Sequence, residues 1–509
     1  MNRTRIQKFL SVAIALAIVF SACAAVGYSS LFFSVSAEQT DSGYQYIADN
    51  AKKTVQITGY TGSAHTLAIP SVIEGYTVDS IKSEAFKGKN TLLSVTIPDT
   101  VVTIGSECFS GCTLLGTVEL GKRVSTIGSK AFENCAVLGT IKIPKATASI
   151  GTLAFYGCKA LSSINVEADN LVYASRDGVL FNRLGTTLIA YPAGKSGDSY
   201  TVPDVTTIEN YAFCGAKNLK TVTLSSATLS IEKGTFKDCA ALTQVTLPAK
   251  LSKIEDEVFS GCKKLSSLSF PATIRIIGEN TFKGCVAIPA LTIPEGVTTV
   301  GKGAFADCTG IASVTISKSV SAVSGAAFSG CSGIKEFKVA DGGSFSVDKG
   351  VLFSKDGARL IAYPAGMDGE SYTIGEKVTT IGANAFDSCK NLKKLVIPAT
   401  VKTIVEPAVQ NCGSLVIHVE DKSPAKTYFE AHTDGFSALK IGSDKPGDVN
   451  ADGEVDNADV ILLRRYVAKW KNISIHTDAA DVNKDSEVDN ADVILLRRFV
   501  AGWKNVSLK

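Results

Sequence analysis

Tryptophan, methionine and histidine are nearly missing from this chain, with 2, 2 and 4 copies among 509 residues. His65, His418, His432 and His476 stand far apart, and no Ser or Cys motif surrounds any of them, so the sequence argues against a nucleophilic triad. Net charge is missing too. The 52 Lys+Arg fall to 49 once Arg3, Arg5 and Lys8 are set aside with an export leader, and 49 Asp+Glu balance them. Nothing global therefore attracts nucleic acid or an anionic membrane. No carboxylate pair marks a glycosidase, which needs two carboxyls about 5 Å apart beside a sugar cleft. The one cluster, Glu255-Asp256-Glu257, falls in the polar part of a repeating unit. Apolar residues are plentiful, 45% against 20% charged, which is enough to bury a core and too many for a disordered chain.

Long apolar runs are scarce as well. The one at Phe9 to Val26 follows Arg3, Arg5 and Lys8 and precedes the small residues Val35-Ser36-Ala37. Residues 1–37 read as a signal peptide, with an uncleaved membrane anchor as the alternative. Either way the protein leaves the cytoplasm, and no membrane span is expected after the leader is removed.

The bulk of the chain is one phrase repeated about a dozen times, Ile-Gly-x-x-Ala-Phe-x-x-Cys-x-x-Leu-x-x-Val-x-Ile-Pro. Its marker aromatic falls at Phe86, Phe109, Phe132, Phe155, Phe213, Phe236, Phe259, Phe282, Phe305, Phe328 and Phe386, with Val409 in a worn last copy. Steps are 23 residues, except two of 58. A fixed period of this length means a solenoid, whose coils bury their apolar sides only by stacking on neighbours. In each coil, Ile141 and Ile143 read as inward residues of a short strand that Pro144 ends. Ile127-Gly128 closes a second extended piece, and Phe132 plugs the core at the turn. The phrase resembles the 23-residue treponemal-type, or BspA-like, leucine-rich repeat of bacterial surface proteins, over about residues 80–420. The resemblance implies a mainly β leucine-rich-repeat solenoid at 81–441, preceded by an N-terminal cap at 38–80.

Ten of the 13 cysteines share one turn position (Cys112, Cys135, Cys158, Cys239, Cys262, Cys285, Cys308, Cys331, Cys389 and Cys412), where Lys89 and Ala216 stand in other copies. A position that accepts Ala wants a small buried group, and stacked side chains point the same way. The expectation is a ladder of free thiols. A stapled ladder is the alternative.

The two long steps carry the same text. Gly178-Val179-Leu180-Phe181 leads to Leu188 through Gly194, and 172 residues later Gly350-Val351-Leu352-Phe353 leads to Leu360 through Gly366. Two apolar runs around a polar stretch read as a β-hairpin insertion, at about 165–205 and 338–378. Tyr191 and Tyr363 are either exposed on ligand-binding tongues or packed on the solenoid, the latter being favoured. The outward strand positions, Thr96, Lys142, Thr223, Thr246, Ser269, Thr292, Thr315 and Lys338, form a hydroxyl-rich face without aromatic platforms, better suited to a protein partner or to solubility than to sugar.

A linker at 442–447 leads to a second periodicity in residues 448–509. Asp448, Asn450, Asp452, Asp456 and Asp459 recur 33 residues later as Asp481, Asn483, Asp485, Asp489 and Asp492. These are oxygen donors at positions 1, 3, 5, 9 and 12 of a calcium loop, with the carbonyls of Glu454 and Glu487 at position 7. Asp replaces Glu at position 12, and Ser486 replaces Gly at position 6 of the second loop, a change expected to weaken that site. Each loop runs into a helix with an apolar stripe, Val460, Leu463, Val467 and Trp470, then Val493, Leu496, Val500 and Trp503. Loop-helix, twice, resembles the type I dockerin, a small all-α module that binds calcium and plugs secreted proteins into cohesin modules of cellulosome scaffoldins. The resemblance implies two Ca²⁺ sites and cohesin contacts at Asn457, Ala458, Leu462, Arg464, Arg465 and Lys469, and at Asn490, Ala491, Leu495, Arg497 and Arg498. Loop positions 10 and 11 are Asn-Ala here, where the family often has Ser-Thr.

These readings combine into a secreted, non-catalytic adhesion or interaction protein, at the cell surface or in a cellulosome-type assembly, with a cohesin as one partner and an unidentified protein or surface ligand for the solenoid. The alternative is a polysaccharide-degrading or carbohydrate-binding component acting through the repeats.

Overall fold

The computed structural model describes residues 38–39, 42–267, 269–420, 422–441, 445–450, 454–471, 473, 475 and 477–509. The leader at 1–37, linker residues 442–444, Asp452 and His476 lie outside the described residues.

Most 23-residue coils contribute two short parallel strands. Thr126–Ile127 pairs with Thr103–Ile104 on one side and Ser149–Ile150 on the other, always residue to residue one period away. Thr140–Ile143 pairs likewise with Ser163–Val166. Repetition of one register builds two facing ladders, with the inward Val, Ile and Leu buried between them. Where glycine follows Ile the coils come close, and a Cβ on Gly128 would lie 2.4 Å from the Ser106 nitrogen of the preceding coil.

The turn is reversed by two left-handed residues placed symmetrically about the marker aromatic. Glu107 (φ 55°) and Gly111 (φ 73°) flank Phe109, and Lys130 and Asn134 (both φ 58°) flank Phe132. Gly, Asn and Asp recur at the second site because they tolerate this region best. The rings stack along the rod, with Phe109 and Phe132 centroids 5.4 Å apart and 2° from parallel. One stack runs from Tyr60 through Phe86 to Phe155, another from Tyr191 through Phe213 to Phe328, and a third pairs Tyr363 with Phe386.

The insertions are three-stranded meanders, one strand more than the two apolar runs indicate. Tyr173–Arg176, Val179–Asn182 and Thr187–Ala190 pair antiparallel in sequence, and the third joins the solenoid ladder by pairing parallel with Thr207–Ile208. Phe345–Asp348, Val351–Ser354 and Arg359–Ala362 do the same. Asp177-Gly178 and Lys349-Gly350 make two-residue turns with positive φ throughout, matching the strand twist. Their middle strands are buried on both faces. Leu180 belongs to the core spanning Tyr44 to Leu180, whereas Val179 and Phe181 belong to the next, and Leu352 divides from Val351 and Phe353 in the same way. The insertions are therefore bulkheads that part the rod's interior into three cores. Tyr191 and Tyr363, each 6% exposed, stand in the marker position of an insertion coil and stack on Phe213 and Phe386, so both pack on the solenoid and neither stands exposed on a tongue.

A helix, Pro424–Ala431, capped by Ser423, lies between the strands Val416–Val419 and Ala438–Ile441, which continue the parallel ladder to its end. Among the described residues no helix is long and apolar enough to cross a membrane.

Candidate metal centre and docking faces

Asp456 starts the helix Asn457–Val467, its carboxylate accepting the Ala458 N–H at 2.7 Å, while Asp459 reaches back to accept the Asp456 N–H at 2.9 Å. Asp489 and Asp492 repeat this capping box at Asn490–Val500. The two helices pack on a small core of Val449, Leu463, Ala480, Val482 and Leu496, in which Val449 and Val482, like Leu463 and Leu496, are one 33-residue period apart.

The position-12 aspartates do more than the sequence assigned to them. Asp459 also accepts the Asn450 N–H at 2.9 Å, and Asp492 accepts those of Val482 and Asn483 at 2.9 and 3.3 Å. Each ties the entrance of its loop to the first turn of its helix. The shorter Asp arm was the signal, because it keeps the carboxylate against the backbone. In the second loop, Asp481 accepts from the Asp485 and Ser486 N–H groups, Asn483 accepts from Asp485 N–H, and Asp485 accepts from Glu487 N–H. Ser486 sits at φ 75°, in the left-handed region that glycine adopts without steric cost.

Asp448, Asp459 and Asp492 are fully buried. Burial pushes the Asp459 carboxyl above its usual range, and the nearby charge of Asp448 adds to the rise. Carboxylates buried together call for a counter-charge. The donors are oxygen alone, the chemistry of a hard cation such as calcium. Among the described residues no group of three or more His, Cys, Asp or Glu converges on one point, and Asp452 lies outside them. The residues present fit a calcium ion by donor chemistry, since the side chains at the loop positions all offer oxygen.

Asn457, Ala458, Arg464, Arg465 and Lys469 are exposed along the first helix, as are Asn490, Ala491, Arg497 and Arg498 along the second, while Leu462 and Leu495 are half-buried against the core. The sequence reading missed Ile461 and Ile494, each 51% exposed between these residues. Trp470 and Trp503 are no part of the apolar stripes. Both are 60% exposed, with Arg465 and Arg498 over their rings at 5.5 and 5.3 Å. The cause is the helix end. Lys469 and Gly502 turn left-handed, and the N–H groups of Trp470 and Trp503 bond back to the Arg465 and Arg498 carbonyls, a Schellman closure that throws the indoles outward.

In the solenoid, the outward strand positions are exposed, except for half-buried Thr315. Glu257 pairs with Lys233 and Lys237 and Asp256 accepts the Glu279 N–H across coils, while Glu255 pairs with Lys253 within its own coil, so the acidic cluster is held by structural contacts. His65 is exposed, His418 is buried and His432 pairs with Glu406. Nine ladder thiols donate to the carbonyl of the marker Phe one coil back, as Cys135 does to Phe109 at 3.3 Å and Cys308 to Phe282 at 3.0 Å.

A family model described as the BspA type leucine rich repeat region matches residues 68–177, 206–335 and 365–427 in 6 copies, more than half of the chain. A type I dockerin domain model matches 446–501. Among solved structures, a leucine rich cell surface protein from Faecalibacterium prausnitzii is 26% identical, covering 60% of this chain and 96% of its own, at a TM-score of 0.38. A leucine-rich repeat protein from Bacteroides ovatus is 22% identical over 81% of this chain and 100% of its own (TM-score 0.42). Another from Eubacterium ventriosum is 22% identical over 63% and 100% (TM-score 0.47). No curated protein matches the chain.

Proposed function

Because this chain belongs to the BspA-type leucine-rich-repeat proteins and carries a type I dockerin, we propose that it is an exported, non-catalytic adhesion or interaction protein held on a cohesin-bearing scaffoldin. Residues 1–37 serve as its leader, 38–80 as the cap, 81–441 as the ligand-presenting solenoid and 448–509 as the attachment module. Two calcium ions, held by Asp448, Asn450, Asp452, Glu454, Asp456 and Asp459 and by Asp481, Asn483, Asp485, Glu487, Asp489 and Asp492, would neutralise the buried carboxylates and fix both helices. The observation that carries this reading is the duplicated helix face, with the same Asn-Ala, Ile and Arg-Arg exposed twice.

The apolar centre around Ala458, Ile461 and Leu462 gives a dry contact, and Arg464 and Arg465 on the rim orient it. Asn490 through Arg498 offer the same face after a half-turn, so a cohesin has two equivalent grips. The test is cohesin binding by full-length protein. Chelator should abolish it. Ala458→Asp with Arg464→Ala should cost only the statistical factor of two, about 0.4 kcal/mol. Adding Ala491→Asp with Arg497→Ala should remove binding. Loss with the first pair alone, calcium still bound, would refute the two-grip reading. For the solenoid, capture of a protein from culture supernatant supports the adhesion role, and release of sugar from plant polysaccharide would instead support an enzyme.

A further inference from the structure

The two insertions are internal copies, so differences between their junctions with the preceding coil are informative. At the second, the junction is sealed. The Ser329 hydroxyl bonds the Asp387 carboxylate, Asn384 Nδ2 donates to Ser329 Oγ at 3.0 Å, and the coils come so close that a Cβ on Gly325 would lie 2.6 Å from the Ala383 carbonyl oxygen. At the first, the corresponding residues are Tyr156, Cys214, Tyr211 and Thr152, and Gly382 is replaced by Glu209. No such staple forms there. Tyr156 instead reaches past the next coil to Asp238, its hydroxyl 3.2 Å from Oδ2.

The result is a cavity of about 250 Å³. Five aromatic residues line it, Phe155, Tyr156, Tyr173, Tyr191 and Tyr211, over a floor that includes Leu161, Ile164 and Leu180. Glu209 is its one carboxylate, and no Lys, Arg or His lines it. That carboxylate lies close enough to the Tyr173 hydroxyl to help burial hold its proton on. It makes no ion pair among the described residues. A carboxylate among five aromatic side chains, in a space the size of a small molecule, is complementary to a small organic cation whose body packs on the rings and whose ammonium meets the carboxylate.

We propose that this junction is a binding site for a small aromatic or alkyl ammonium ion, with Glu209 as counter-ion and the tyrosines as its walls. It is independent of the dockerin and of any protein bound on the strand face. The test is calorimetric titration of the full-length protein with benzyltrimethylammonium, and with benzyl alcohol as the uncharged probe. The ammonium should bind saturably with one site per chain, at least about tenfold tighter than the alcohol, since one charge contact and a desolvated cation–π pair together reach that size. Glu209→Gln, at a half-exposed position the fold does not depend on, should bring the ammonium down to the level of the alcohol. Tyr211→Asn, which copies the second junction, should weaken both probes. Equal binding of the two probes, no saturable binding of the ammonium, or full affinity retained in Glu209→Gln would each overturn the proposal.

Discussion

The ladder cysteines show what a single atom contributes. The exchanges at Lys89 and Ala216 indicate a small buried group, and the packing agrees, but the pattern of exchange has a sharper cause. Lys89, Ala216 and Cys389 all follow a coil whose marker position holds no Phe (the cap or an insertion), and among the described residues no thiol bond to that coil's marker carbonyl forms. Two of the three are no longer Cys, and Cys389 turns to the Asp387 carbonyl of its own coil instead. The hydrogen bond was invisible in the sequence because thiol donors leave no compositional mark. Burial also pushes the thiols up, Cys239 and Cys308 to about 12 from 9. A raised folded pKa means that this stability is fully present below about pH 9 and is lost as pH climbs from there towards 12. The urea midpoint should therefore fall between pH 8.5 and 11 (chosen to bracket the unfolded thiol). A variant with Cys239, Cys262, Cys285 and Cys308 changed to Ala should fall less. An equal slope in both would show that the thiols do not titrate this way. Thiol reagent at neutral pH should label the native chain slowly, and all 12 described cysteines after denaturation.

Among elements, the stacked rings and the dockerin helices respond differently to substitution. Phe259 lies between Phe236 and Phe282 at 5.5 and 5.3 Å, whereas Phe328 has a parallel neighbour on one side only, Phe305. Phe259→Ala should cost about 3–5 kcal/mol and Phe328→Ala measurably less, read as a shift in denaturant midpoint. Equal costs would mean that stacking continuity adds nothing. In the C-terminal module, Gly447 is held at φ 93° with the Leu496 and Leu508 methyls 2.6 Å from where a Cβ would stand. Gly447→Ala should lower the melting of this module and leave the solenoid transition in place, and chelation should act on the same transition. The period-23 phrase made the strands, the plug and the turn legible, since each is local and repeated. The first strand of the first insertion was not, because Tyr173-Ala-Ser-Arg176 carries no apolar alternation and is held only by its partner. Nor was the outward throw of Trp470 legible, although Gly502 in the second copy marks the reversal.

At the scale of the molecule, the bulkhead strands decide how far a disturbance travels. Neighbour-only contacts make solenoid stability a sum of local terms, and here the core itself is partitioned. Phe109→Ala, inside the first core, should raise amide exchange across 44–180 and leave 351–429 unchanged. Exchange rising evenly along the rod would show that the walls do not insulate. The same separation reaches the chain's optics. Both tryptophans stand at the outer ends of the dockerin helices, each under an arginine, and the solenoid has none. Indole emission from the intact protein is therefore a label confined to one end. Calcium or cohesin added to the protein can be followed by it at that end, while several hundred residues of rod stay dark.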